Sequence, residues 1–160
     1  MTTGWAPENM GAQPVLGADG KEKDMHILIV EDDVPSQLFL KTVLKGYGPC
    51  AIAGDGAEAV RAYADVALDG SPFDVVFMDI MMPGMDGLTA IDRIREFETQ
   101  NPYKVPHPAQ IVVVTATQDT QNIIHAYCAG NVFAYLKKPL TSDDLKATMA
   151  KILNAPVGTL

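Results

Sequence analysis

Cysteine is scarce in this chain, with only Cys50 and Cys128 among 160 residues. Two thiols so far apart match no zinc-ligand spacing and build no disulfide framework. Both are read as free, buried thiols of a reducing compartment, and the fold must rest on an ordinary apolar core. Aromatic residues are few as well, 7% of the chain, with Trp5 the one tryptophan. No apolar run reaches the roughly 18 residues of a membrane-spanning helix. The amino terminus lacks the basic-then-apolar layout of a secretion signal, so a cytoplasmic location is expected. Positive charge is the third shortage. Twelve Lys and Arg against 20 Asp and Glu give a net charge of −8 and a pI of about 4.7. A surface so acidic repels nucleic acid and anionic lipid, and neither is an expected partner.

What the chain does have is apolar residues, 48% of the total, enough to fill the core of one domain. They are unevenly spread. Residues 1–24 are rich in Gly, Pro and small polar residues with no apolar period, and are read as a flexible tail. Residues 25–154 form the expected domain, and residues 155–160 a short carboxyl tail. Within the domain, the run HILIV (26–30) predicts a strand buried on both faces and IVVV (111–114) another buried strand, FDVVFM (73–78) and VFAYL (132–136) predict two more strands, and 50–53 a weaker one. Amphipathic helices are predicted between them. The first carries Leu40, Val43, Leu44 and Tyr47 on one stripe and is stopped by Gly46 and Gly48. Others are predicted over 57–68, over 88–97 and over 119–129, the last closed by Gly130. A final helix opens at Thr141 with a variant capping box to Asp144 and lines up Leu145, Met149, Ile152 and Leu153. Five strand–helix alternations imply an α/β fold, a flavodoxin-like (βα)5 doubly wound parallel sheet in the order 2-1-3-4-5.

That architecture places a site at the carboxyl ends of the strands, beside strand one where the order reverses. Strand one ends in Glu31, Asp32 and Asp33, strand three in Asp79, strand four in Thr115, and strand five leads into Lys137, Lys138 and Pro139. One crevice would collect three carboxylates, a hydroxyl and an ammonium. One strand-end acid reads simply as a helix N-cap, as Asp33 does; Glu31, Asp32 and Asp79 together require a countercharge. Hard oxygen ligands with open positions suit Mg2+. A divalent cation, an ammonium and a hydroxyl are the parts that stabilise a phosphoryl group in transfer, and they leave one carboxylate free to attack it. No glycine-rich nucleotide loop is present, so the donor must bring its phosphate without a nucleotide pocket.

At these residues the chain resembles a known family. ILIVEDD (27–33), FDVVFMDIMMPGMDG (73–87), VVVTA (112–116) and AYLKKP (134–139) look like the motifs of CheY-like receiver domains of response regulators, in order and at the usual spacing. The resemblance implies that Asp79 is the phosphoacceptor. It implies that Glu31, Asp32, Asp79 and the backbone carbonyl of Met81 hold Mg2+. Thr115 and Tyr135 become the switch pair, and Lys138, preceding a cis Pro139, the lysine of the site. Further implied are a donor that is a histidine kinase or histidine phosphotransfer protein, and a downstream protein target reading the face of helix four, strand five and helix five. Such a domain is no enzyme in the turnover sense; it assists its own phosphorylation and dephosphorylation. Met81 and Thr117 hold positions whose side chains influence acyl-phosphate hydrolysis in the family, and neither can orient water, so slow self-dephosphorylation is expected.

Flavodoxins would place a Ser/Thr/Gly phosphate loop where this chain has Glu-Asp-Asp, and haloacid-dehalogenase phosphatases a second Asp where it has Met81. A chain that opens on methionine and a tail poor in apolar residues reads as a stand-alone regulator. The alternative is a receiver fragment of a hybrid histidine kinase or larger regulator. The segment 121–151 lacks a charge-paired dimer pattern, so a monomer is expected, with phosphorylation-dependent dimerisation left open.

Overall fold

The structure, a computed structural model, describes residues 24–116 and 131–155. Residues 1–23 of the expected amino-terminal tail, the helix over 119–129, Thr117, Cys128 and residues 156–160 lie outside the described residues. Five parallel strands form one sheet: β1 Ile27–Val30, β2 Cys50–Ala53, β3 Val75–Asp79, β4 Gln110–Thr115 and β5 Ala134–Lys137, in the order β2-β1-β3-β4-β5. The described helices are α1 Val34–Leu44, α2 Gly56–Leu68, α3 Gly87–Gln100 and a C-terminal helix Ser142–Asn154. The flavodoxin-like order expected from the alternation is the one observed.

Strand alternation divides the core into two layers. Leu28, Val30, Val76, Met78, Ile111 and Val113 face Ala59, Tyr63 and Ala67 of α2 and Ala90, Ile91 and Ile94 of α3. Ile27, Ile29, Val75, Phe77, Val112 and Val114 face Leu40 and Leu44 of α1 and Leu145, Met149 and Ile152 of the C-terminal helix. Side chains on both faces of the central strands are therefore out of water, which is why their sequence reads as unbroken apolar runs. Each helix starts on a side-chain cap: Asp33 accepts from Ser36 N–H, Asp55 from Glu58 N–H and Asp86 from Thr89 N–H. Thr141 and Asp144 complete the expected capping box. Among the described residues no helix is long and apolar enough to cross a membrane.

Small differences from the predicted elements have local causes. β3 begins at Val75, not Phe73, because Phe73 turns into the core against Tyr63, with ring centroids 6.0 Å apart. β5 starts two residues late, at Ala134. α3 runs to Gln100, beyond the predicted end at Phe97, because Glu98 is drawn inside rather than solvated. Its carboxylate accepts from Tyr63 Oη at 2.6 Å, Ala109 N–H at 2.9 Å and Arg95 Nη1 at 2.7 Å. Burial, with the neighbouring Glu98, pushes the Tyr63 phenol far up, so it stays a donor. Cys50 is half-buried rather than enclosed, because β2 is an edge strand; burial still pushes its thiol up to about 11. Gly48 follows α1 with φ +150°, where an added Cβ would lie 2.0 Å from the Met25 carbonyl oxygen. No larger residue fits that approach.

Tyr63→Phe should lower unfolding stability by about 1–3 kcal/mol, because Glu98 stays buried with one donor fewer. Urea unfolding of the two proteins measures it, and equal midpoints would contradict the importance given to this bond.

Candidate functional site

Register builds the site. Val30 pairs with Met78, so Glu31 and Asp79, the next residues along, leave the sheet at one level. Both continue the odd-numbered series Ile27, Ile29 and Val75, Phe77, so alternation aims them to the same face. Both are buried, at 1% and 4% exposure, whereas Asp32 is exposed. Asp79 pairs with Val114, and Thr115, buried at the end of β4, pairs with Lys137. The Thr115 carbonyl then accepts from Lys138 N–H at 2.8 Å, fixing the backbone just before Pro139. The Lys138–Pro139 bond is cis, as the family resemblance implied.

Lys138 reaches across the sheet end. Its Nζ lies 2.8 Å from Glu31 Oε2 and 3.1 Å from Asp79 Oδ2. The other oxygens are held too, Asp79 Oδ1 by Met81 N–H at 3.0 Å and Glu31 Oε1 by Asp33 N–H at 3.2 Å. One carboxylate oxygen from each of Glu31, Asp32 and Asp79 lies within 4.8 Å of the others. Three carboxylates against one ammonium leave two negative charges in a partly dehydrated crevice. Burial dominates at Glu31 and, helped by the charge on Asp79, raises its pKa despite the Lys138 bond. At Lys138 burial acts to lower the pKa, but the bonds to Glu31 and Asp79 outweigh it and hold the ammonium above its usual value. The donor set is all oxygen, two members are buried, and the excess charge is that of one divalent cation. These residues fit Mg2+.

The remaining expected residues also fall at this end of the sheet. Met81 is two residues past Asp79, with its side chain 62% exposed. Tyr135 pairs with Val113 and packs on the α2–α3 layer, and alternation puts Thr115 on that same face. Sequence reading passed over two residues that shape the site. Gly87, at the start of α3, lies so close that a Cβ there would sit 2.2 Å from the Asp79 carbonyl oxygen. Gln37 Nε2 donates to the Glu31 carbonyl at 2.6 Å. The Asp86-Gly87 pair just before the predicted helix over 88–97 hinted at the first; nothing marked the second. Reading also missed a groove of about 510 Å³ beside Lys138, lined by Pro35, Ser36, Phe39, Leu40, Pro139 and Leu140 among others. Val34 and Leu38 of α1 are 69% and 66% exposed.

The raised Glu31 pKa gives a pH dependence of definite sign. Without metal, its contribution to stability is fully present below the usual value near 4.5 and is lost as pH rises through the higher folded-state pKa. Glu31→Gln should remove that slope, as read by denaturant unfolding across pH in a chelating buffer. Matching slopes in the two proteins would contradict the assignment.

The comparisons with known proteins agree with this geometry. The model of the response regulator receiver domain family matches residues 27–150. The chain is 34% identical over 130 residues to the chemotaxis protein CheY of Bacillus subtilis, covering 80% of this chain and 97% of that protein. It is 33% identical over 132 residues to transcription factor SKN7 of Candida albicans, covering 82% of this chain but 21% of that protein. The chain thus spans about a fifth of that relative's length. Among solved structures, it is similar to one of the Saccharomyces cerevisiae histidine phosphotransfer signalling protein Ypd1 in complex with the receiver domain of its downstream response regulator Ssk1. The TM-score is 0.64 and the identity 30%, over 81% of this chain and 86% of that chain. The chain belongs to the response regulator receiver domain family, the phosphoacceptor modules of two-component and phosphorelay signalling.

Proposed function

We propose that Asp79 is the phosphoacceptor, taking a phosphoryl group from a phosphohistidine on a histidine kinase or phosphotransfer protein. The observation that carries this reading is the Lys138 ammonium set between Glu31 and Asp79, with Asp32 completing a doubly negative oxygen cluster. An Asp79 carboxylate oxygen forms a bond to phosphorus as the phosphorus–nitrogen bond of the donor breaks, and the departing imidazole keeps the electron pair and takes a proton. Lys138 and the Thr115 hydroxyl hold the oxygens whose charge grows during transfer. Glu31, Asp32, Asp79 and the Met81 carbonyl would hold Mg2+, which when bound neutralises phosphoryl charge.

The same reading extends to partner and consequence. The exposed Val34 and Leu38 and the groove beside Lys138 give α1 an apolar surface next to Asp79, on which the donor protein docks. Thr115 and Tyr135, on one face of the sheet, then shift the balance between two surface states around β5 that a downstream protein reads. The chain is a stoichiometric acceptor that assists its own phosphorylation and dephosphorylation, not an enzyme acting on a free substrate. It is proposed to work in the cytoplasm, as a monomer unless phosphorylation dimerises it.

Incubation with acetyl phosphate and Mg2+ should give one adduct, on Asp79, labile to alkali and hydroxylamine as an acyl phosphate is, and Asp79→Asn should give none while folding normally. Lys138→Met should slow labelling by about a hundredfold. An adduct on another residue, or labelling that survives Asp79→Asn, refutes the assignment. The thioether of Met81 cannot orient an attacking water. The adduct should therefore decay slowly, and Met81→Asn should quicken the decay; an unchanged rate would show that position 81 does not control it.

A further inference from the structure

We infer that Gln37 is a positioning residue for the acidic cluster: it fixes the peptide between Glu31 and Asp32 and so aims the Asp32 carboxylate at the divalent cation. The inference rests on the metal reading above.

Glu31 and Asp79 are held by burial and by Lys138, and their oxygens have nowhere else to go. Asp32 differs. It is exposed and lies two residues past Val30, the last residue of β1 paired in the sheet, so neither burial nor pairing constrains it. Something must nevertheless set where its side chain starts, because a carboxylate on a single methylene reaches only a short distance from Cα. A peptide unit is planar, so the orientation of the Glu31 carbonyl fixes the N–H and Cα of Asp32 as a rigid group. That carbonyl is bound by Gln37 Nε2 at 2.6 Å, from the first turns of α1. A carbonyl oxygen only accepts, so the amide must present its NH2. Gln37 is itself anchored, its backbone N–H donating to the Asp33 carbonyl at 2.9 Å, and Asp33 caps the same helix. The other groups of Glu31 are also accounted for. Its N–H goes to Ala53, Oε1 to Asp33 and Oε2 to Lys138. The Gln37 bond is thus the contact that ties the 31–32 peptide plane to a helix rather than to the sheet. Partners of this kind, one step removed from the metal, commonly change affinity by about 10–100-fold when lost.

The test titrates Mg2+ by calorimetry into the full chain stripped of metal, for wild type, Asp32→Asn, Gln37→Met and Gln37→Glu. Met keeps the length and helix preference of Gln but cannot donate. Gln37→Met should bind Mg2+ about tenfold more weakly, with a melting temperature in chelator close to wild type. Gln37→Glu discriminates by sign. Through charge alone it would tighten Mg2+, whereas with an acceptor set against the Glu31 carbonyl it should weaken binding. A second readout needs no metal: the Asp32 amide order parameter should be near the ~0.85 of rigid backbone in wild type and fall toward ~0.6 in Gln37→Met. Affinity in Gln37→Met within twofold of wild type, tighter binding by Gln37→Glu, or an unchanged Asp32 order parameter overturns the inference. Wild type that takes up no Mg2+, or Asp32→Asn that binds as wild type does, overturns the metal reading itself and this inference with it.

Discussion

The structure depends on a repulsion that the fold does not relieve. Glu31, Asp32 and Asp79 are brought within 4.8 Å of one another with one ammonium, Lys138, to offset them. Like charges so close, two of them out of water, oppose folding. Burial first, and then the charge on Asp79, raises the pKa of Glu31, while the hydrogen bonds to Glu31 and Asp79 raise that of Lys138 against its own burial. The core must be strong enough to hold the three carboxylates together, and the two packed layers on either side of the sheet supply that strength.

How the groups are held follows from which elements carry them. Glu31 and Asp79 extend paired strands, so the sheet register sets their level and strand alternation their face. Lys138 is set by a backbone bond to the Thr115 carbonyl, which ties the end of β5 to the end of β4. The chain after Asp79 is pressed from behind by Gly87, where a side chain would collide with the Asp79 carbonyl. Of the three carboxylates, Asp32 stands on a bend beyond its strand, and its peptide is steadied from α1 by Gln37. Strands hold the two buried carboxylates, and the exposed one is supported by a side chain.

The sequence was most legible where physics is local. Unbroken apolar runs marked the central strands as covered on both faces, and five strands alternating with amphipathic helices left few topologies. The caps at Asp33, Thr141 and Asp144 were readable because a cap acts within one turn. Glu31, Asp32, Asp79, Thr115 and Lys138 were readable because a parallel sheet sends all its strand ends to one edge. Glu98 was not. A carboxylate on a helix reads as solvated, and its Tyr63 partner is 35 residues away. Gly87 and Gln37 were missed for the same reason, since a close approach or a single hydrogen bond leaves no pattern along the chain.

By itself, then, the sequence determined the layers, the strand order and the set of acidic, hydroxyl and ammonium groups at one edge, because periodicity and strand-end position are properties of short segments. Only the tertiary structure decided which oxygens meet which nitrogen, that Lys138 bridges Glu31 and Asp79 across 107 and 59 residues, and that a buried glutamate locks α2 to α3. Those are distances between remote segments. They come from packing and register, which the whole chain settles together.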